Sequence, residues 1–88
     1  MIVSQNQIED KLRELQKACN KYNNIDSFAS WVLYAVTIHI RSGKATMEFE
    51  YDFVNYPNNK LKKLIKKCLK GDRSHDGIIK TVKKIITV

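Results

Sequence analysis

At 88 residues the chain has room for one hydrophobic core, so a single domain over residues 1–88 is expected. Hydrophobic residues at 43% and charged residues at 28% exclude a disordered chain, and two cysteines and two histidines set far apart exclude zinc spacing. The net charge of +7 is uneven: residues 1–57 hold six Lys/Arg and seven Asp/Glu, residues 58–88 ten and two, which points to a polyanion or an acidic protein surface as partner.

The first element reads as a helix with a defined start. Ser4 is an N-cap, Gln7 completes a capping box, and Val3 with Ile8 occupies the positions of a hydrophobic staple. Ile8, Leu12, Leu15, Cys19 and Tyr22 form one helical stripe that suits a core-facing helix; it is too short to argue a coiled coil. Asn23-Asn24 ends it. Cys19, and Cys68 later, fall on apolar faces and read as small buried hydrophobes with reduced thiols. Asp26 can cap a short helical turn that carries Phe28 and Trp31.

The middle of the chain reads as a β-hairpin. Val32, Tyr34, Val36, Ile38 and Ile40 alternate with Leu33, Ala35, Thr37, His39 and Arg41. After Ser42-Gly43, Met47, Phe49, Tyr51 and Phe53 alternate with more polar residues. A two-residue Ser42-Gly43 turn pairs Ile38 with Met47, Val36 with Phe49, Tyr34 with Tyr51 and Val32 with Phe53 on one apolar face. A slip by one residue would mix the two faces.

Asn55 to Asn59 reads as a loop around Pro57, and Asn58 or Asn59 can cap the next helix. Leu61, Leu64, Ile65, Cys68 and Leu69 then repeat helically, with Gly71 at the position of a left-handed C-terminal cap. A second loop runs from Asp72 to Gly77. The spacing of Ile78, Ile79, Val82, Ile85 and Ile86 predicts helix over 78–87, with a strand as the alternative because β-branched residues are many.

The expected fold is therefore α+β in the order α-β-β-α-α, a two-stranded antiparallel hairpin packed on helices. A lone hairpin is marginal, so helices must cover its apolar face, and its outer edges can pair with a second copy or a partner strand. The apolar run Trp31–Ile40 is too short to span a bilayer, and the first residues lack a signal-peptide pattern, so a cytoplasmic protein is expected.

Catalytic signals are weak. Ser74-His75-Asp76 has the letters of a triad, but adjacent loop residues do not make its geometry, and helix capping by Ser74 or Asp76 is the simpler reading. His39, on the polar hairpin face beside Glu48, is a potential acid or base, though more simply a polar-face residue. Glu48, Glu50 and Asp52 along one strand could gather a hard cation, but a solvated strand face is simpler. No P-loop, dinucleotide-binding glycine pattern or nucleophile elbow occurs. No enzyme, cofactor or metal is expected.

Binding signals are stronger. On the helix after Pro57, Lys62, Lys63, Lys66 and Lys70 lie opposite the apolar stripe, with Lys60 and Lys67 on the margin. Arg73 extends this set, and Lys80, Lys83 and Lys84 join it if the last two helices pack side by side. Clustered cations gain counterion-release free energy on a polyanion. Base-reading side chains are scarce there and aromatics do not interleave, so sequence-tolerant phosphate contact is expected. A linker read as Gly71 to Gly77 is longer than a helix-turn-helix turn. An anionic membrane surface ranks lower, since the helix has no aromatic anchor.

Trp31, Gly43-Lys44 and Phe49-Glu50-Tyr51-Asp52 resemble the closing hairpin of YezG-type bacterial immunity proteins. The lysine-rich helices depart from that pattern, so no residue roles carry over. The resemblance implies a small inhibitor that blocks another protein. The leading expectation is a non-enzymatic nucleic-acid-binding module. The alternative is a bacterial or phage inhibitor or adaptor that docks on an acidic partner.

Overall fold

Ser4 starts the first helix as its neighbours dictate. Its Oγ accepts from the Gln7 backbone N–H at 3.2 Å, and Gln7 Oε1 accepts from the Ser4 N–H at 2.8 Å. These reciprocal bonds satisfy two donors that a helix start leaves open. The structure, a computed structural model, describes residues 2–87; Met1 and Val88, the ends of the 1–88 span, lie outside it. Helix α1 runs Gln5–Tyr22, α2 Ser30–Arg41, α3 Met47–Asn55, α4 Leu61–Lys70 and α5 His75–Ile86, with a 3₁₀ turn at Asn58–Lys60.

There is no strand among the described residues, so the α+β class and the hairpin are overturned. Residues 32–53 form α2 and α3 instead. Val32, Ala35, Val36 and His39 are buried on α2, at i, i+3, i+4 and i+7, and Phe49 and Phe53 are buried on α3 at i and i+4. A four-residue step satisfies both a period of two and a period near 3.6, so Val32–Val36 and Phe49–Phe53 fit either element. The rest of the alternation is not core: Tyr34 is 63% exposed and Ile38 45% exposed.

Local chemistry favours the helices. Thr46 Oγ1 accepts from the Phe49 N–H at 3.0 Å, which caps α3, and Glu48 and Glu50 lie in its first turn. Gly43, at φ 78°, is the one described residue with positive φ. A left-handed glycine belongs to hairpin turns and to helix C-termini alike; here it stops α2 just after Ser42. Helices also satisfy their own backbone, whereas a two-stranded hairpin leaves both edges unpaired. With no strand, there is no sheet edge for a second copy among the described residues, and the likeness to an immunity-protein hairpin loses its footing.

The segment 78–87 is helical through Ile86. Two turn readings also change. Asn58 and Asn59 form the 3₁₀ turn rather than a side-chain cap, and Gly71 has φ −101°, not a left-handed conformation.

All five helices feed one core, in which Leu15, Val36, Phe53, Leu64, Ile65 and Val82 are fully buried. Helix α5 packs against α2, α3 and α4, and α1 packs against the same three. Lys11 is buried on α1, where the stripe predicted only apolar residues. Its Nζ donates to the Tyr56 carbonyl and to Asn58 Oδ1, which ties α1 to the α3–α4 connection. Burial lowers the Lys11 pKa, against an upward pull from Glu14.

Candidate functional site

Helix α4 buries Leu61, Leu64, Ile65, Cys68 and Leu69, and that registration leaves Lys62, Lys63, Lys66, Lys67 and Lys70 exposed. At 1.5 Å per residue they extend over about 12 Å, a length along which duplex DNA presents about seven phosphate charges. Lys60 is also exposed, just before the helix. No acidic residue occurs between Asp52 and Asp72. The ion pairs among the described residues are Arg13–Asp10, Lys17–Glu14, Arg41–Glu9 and Arg73–Asp26, and none uses these six lysines. Their charge is uncompensated at short range.

Arg73 is differently occupied. Its Nη2 lies 3.0 Å from Asp26 Oδ2, its Nε donates to the Leu69 carbonyl at 3.0 Å, and its guanidinium sits 5.2 Å from the Phe28 ring centroid. This side chain fastens the α1–α2 connection to the end of α4. It does not simply extend the lysine row.

Helices α4 and α5 pack together, yet the two grooves lined by α5 lysines are built with α3 and α2 rather than with the α4 lysines. Lys80, Lys83 and Lys84 are exposed on α5 and line a groove of about 510 Å³ with Glu48, Phe49 and Asp52 of α3. Lys80 and Lys83 also line a second groove, of about 380 Å³, beside His39, Lys44 and His75. No lysine of α4 lines either one. Lys60 borders a separate depression with Asp52, Tyr56 and Ile86.

Lys44, His39 and His75 are thus neighbours that the sequence argument missed. The available signal was the 32-35-36-39 spacing, which puts His39 on a buried helix face. Its ring meets Phe49 edge-on, at 5.0 Å between centroids and 70° between planes. Burial lowers its pKa first, and the positive charges of Lys83, His75 and Lys44 lower it further. His39 is not on a polar face beside Glu48.

The Ser74-His75-Asp76 run is a helix start: Ser74 Oγ accepts from the Gly77 N–H at 3.1 Å. Its consequence is a tighter connection than expected. The α4–α5 linker is Gly71–Ser74, four residues, because His75 to Gly77 already belong to α5. Gly77 permits the close return: a Cβ there would lie 2.5 Å from Asp72 Cβ and 2.7 Å from the Asp72 carbonyl oxygen. Asp72 accepts from the Ser74 N–H at 2.9 Å, which lowers its pKa.

Cys19 and Cys68 are free and buried, and burial pushes their thiols up to about 11 and about 12. They are neutral packing groups at neutral pH. No group of three or more His, Cys, Asp or Glu side chains suited to a metal occurs among the described residues. No helix among them is long and apolar enough to cross a membrane. No protein-family model matches this sequence, and neither a curated protein nor a solved structure shows significant similarity to it.

Proposed function

We propose that the chain is a non-enzymatic, sequence-tolerant nucleic-acid-binding module whose contact surface is the lysine face of α4. The observation that carries this reading is the row of Lys62, Lys63, Lys66, Lys67 and Lys70, exposed on one helix with no carboxylate partner. Such a row gains free energy by releasing counterions from a polyanion. Lysine meets phosphate as a point charge and carries no base information, so affinity would vary little with sequence.

Fluorescence anisotropy with labelled duplex and single-stranded oligonucleotides tests this from low to physiological salt. Six phosphate contacts give a log–log salt slope of about −5 on duplex DNA. No binding at micromolar protein in low salt overturns the reading.

A second reading is a protein-binding inhibitor or adaptor that meets an acidic surface. It draws support from the outer side of α2, where Trp31 is 55% exposed, Tyr34 63% and Ile38 45%. Exposed Trp and Tyr on one helix face are the residue types that dominate protein interfaces. A saturable complex that survives nuclease treatment would distinguish it from nucleic-acid binding.

A further inference from the structure

His39 is only 6% exposed, yet its Nε2 has no hydrogen-bond partner among the described residues. A buried polar nitrogen without a partner carries an uncompensated desolvation penalty. The imidazole lies against the α2–α5 groove of about 380 Å³. The charged groups that act on it, Lys83, His75 and Lys44, line that same groove. They come from three places: α2 supplies His39, the α2–α3 connection Lys44, and α5 His75, Lys80 and Lys83. From α3 the ring's neighbour is apolar Phe49.

Two carboxylates also border the groove, Asp72 and Asp76. Asp72 is engaged by the Ser74 N–H, and Asp76 lies exposed in the first turn of α5. The groove is therefore lined by three ammonium groups and two imidazoles, one of which carries the unpartnered buried nitrogen, against two carboxylates. That chemistry calls for an acceptor with negative charge.

We propose that the α2–α5 groove binds a small tetrahedral oxyanion of the phosphate type, held by Lys44, Lys80 and Lys83, with His39 Nε2–H as donor. The groove falls at the lower end of the range of about 300–1,000 Å³ typical of small-molecule sites, which suits a phosphate group with a small substituent. The site is independent of the α4 lysine face. Without the anion the lysines oppose a charged His39 imidazole; with it, protonation of His39 is favoured. Anion affinity therefore rises as pH falls.

The test is a nuclear magnetic resonance titration of the full chain with sulfate. Sulfate keeps its charge between about pH 6 and pH 8, whereas a phosphate monoester titrates near pH 6. The expected result is saturable movement of the His39 and His75 ring signals and of the Lys44 and Gly77 amides. Affinity should be about fivefold or more higher at about pH 6 than at about pH 8. Chloride at equal ionic strength should not produce it. Lys83→Gln, at an exposed position, should keep the fold and weaken sulfate by about fivefold. Inorganic phosphate, and a short oligonucleotide with and without a 5′-phosphate, then show whether the group is bound free or on nucleic acid; saturation of the groove by either supports the site. Linear shifts equal to those with chloride, shifts confined to α4, or unchanged affinity in Lys83→Gln overturn the proposal.

Discussion

Helices α4 and α5 are both lysine-rich amphipathic helices, but their charges have different surroundings. The lysines of α4 project from a helix with no acidic residue in it. Those of α5 line grooves with Glu48 and Asp52 on one side and with His39, His75 and Lys44 on the other. An open row of cations suits an extended polyanion. A set that lines grooves beside carboxylates and imidazoles suits a small anion. Two lysine-rich helices thus sit in different electrostatic surroundings, and that matters because a cation's effect depends on what lies within roughly a Debye length of it.

The contrast depends first on the wall that α3 builds beside α5. Phe49 lines that wall and is 3% exposed. Phe49→Ala should cost about 3–5 kcal/mol in urea denaturation, the range for a buried large-to-small change. A loss under about 1 kcal/mol would mean that the α3–α5 groove is not built on a packed floor.

The contrast itself is measured by two triple variants. Neutralising Lys62, Lys63 and Lys66 as glutamine should flatten the salt slope on duplex DNA by about three units, nearly alike on unrelated sequences. Fold stability should change by less than about 0.5 kcal/mol, since these positions face water. The matching glutamine variant of Lys80, Lys83 and Lys84 should flatten the slope by less than about one unit. Equal flattening in the two would abolish the distinction between the helices.

The smallest effect concerns His39 and pH. Its folded pKa lies below the ordinary 6.5, with burial the main cause. The unfolded chain therefore takes up the proton first as pH falls. The contribution of neutral His39 is complete above about pH 6.5 and is lost as pH drops through that value towards the lower folded pKa. Urea midpoints should be level from about pH 8 to 7, decline below about 6.5, and decline less in His39→Leu. A rise in stability on acidification would mean that the charged imidazole has a partner in the fold.

Much of the outer architecture was legible in the residues. The capping box of α1, the Asn23 end of that helix, the buried face of α4 and the Ser74 cap follow from short-range geometry, which sequence spacing encodes directly. The middle third was not legible in the same way. The four-residue repeats of Val32–Val36 and Phe49–Phe53 satisfy both periods, and Gly43 terminates either kind of element. The deciding term was non-local: α1 and α5 both pack against α2 and α3, and helices fill that space with their own backbone groups satisfied.

The candidate site divides along the same line. The sequence determined by itself which residues of α4 face water, because a helix with one apolar stripe has one outer face, and it determined the charge imbalance between the two parts of the chain. Only the tertiary structure decided that Arg73 is held by Asp26 and Phe28, that Lys11 is buried, and that Lys80 and Lys83 meet His39, His75 and Lys44 rather than the lysines of α4. The physical reason is range. Helix registration is set within about four residues of chain, whereas a groove is a meeting of segments far apart in sequence, fixed only when the core closes.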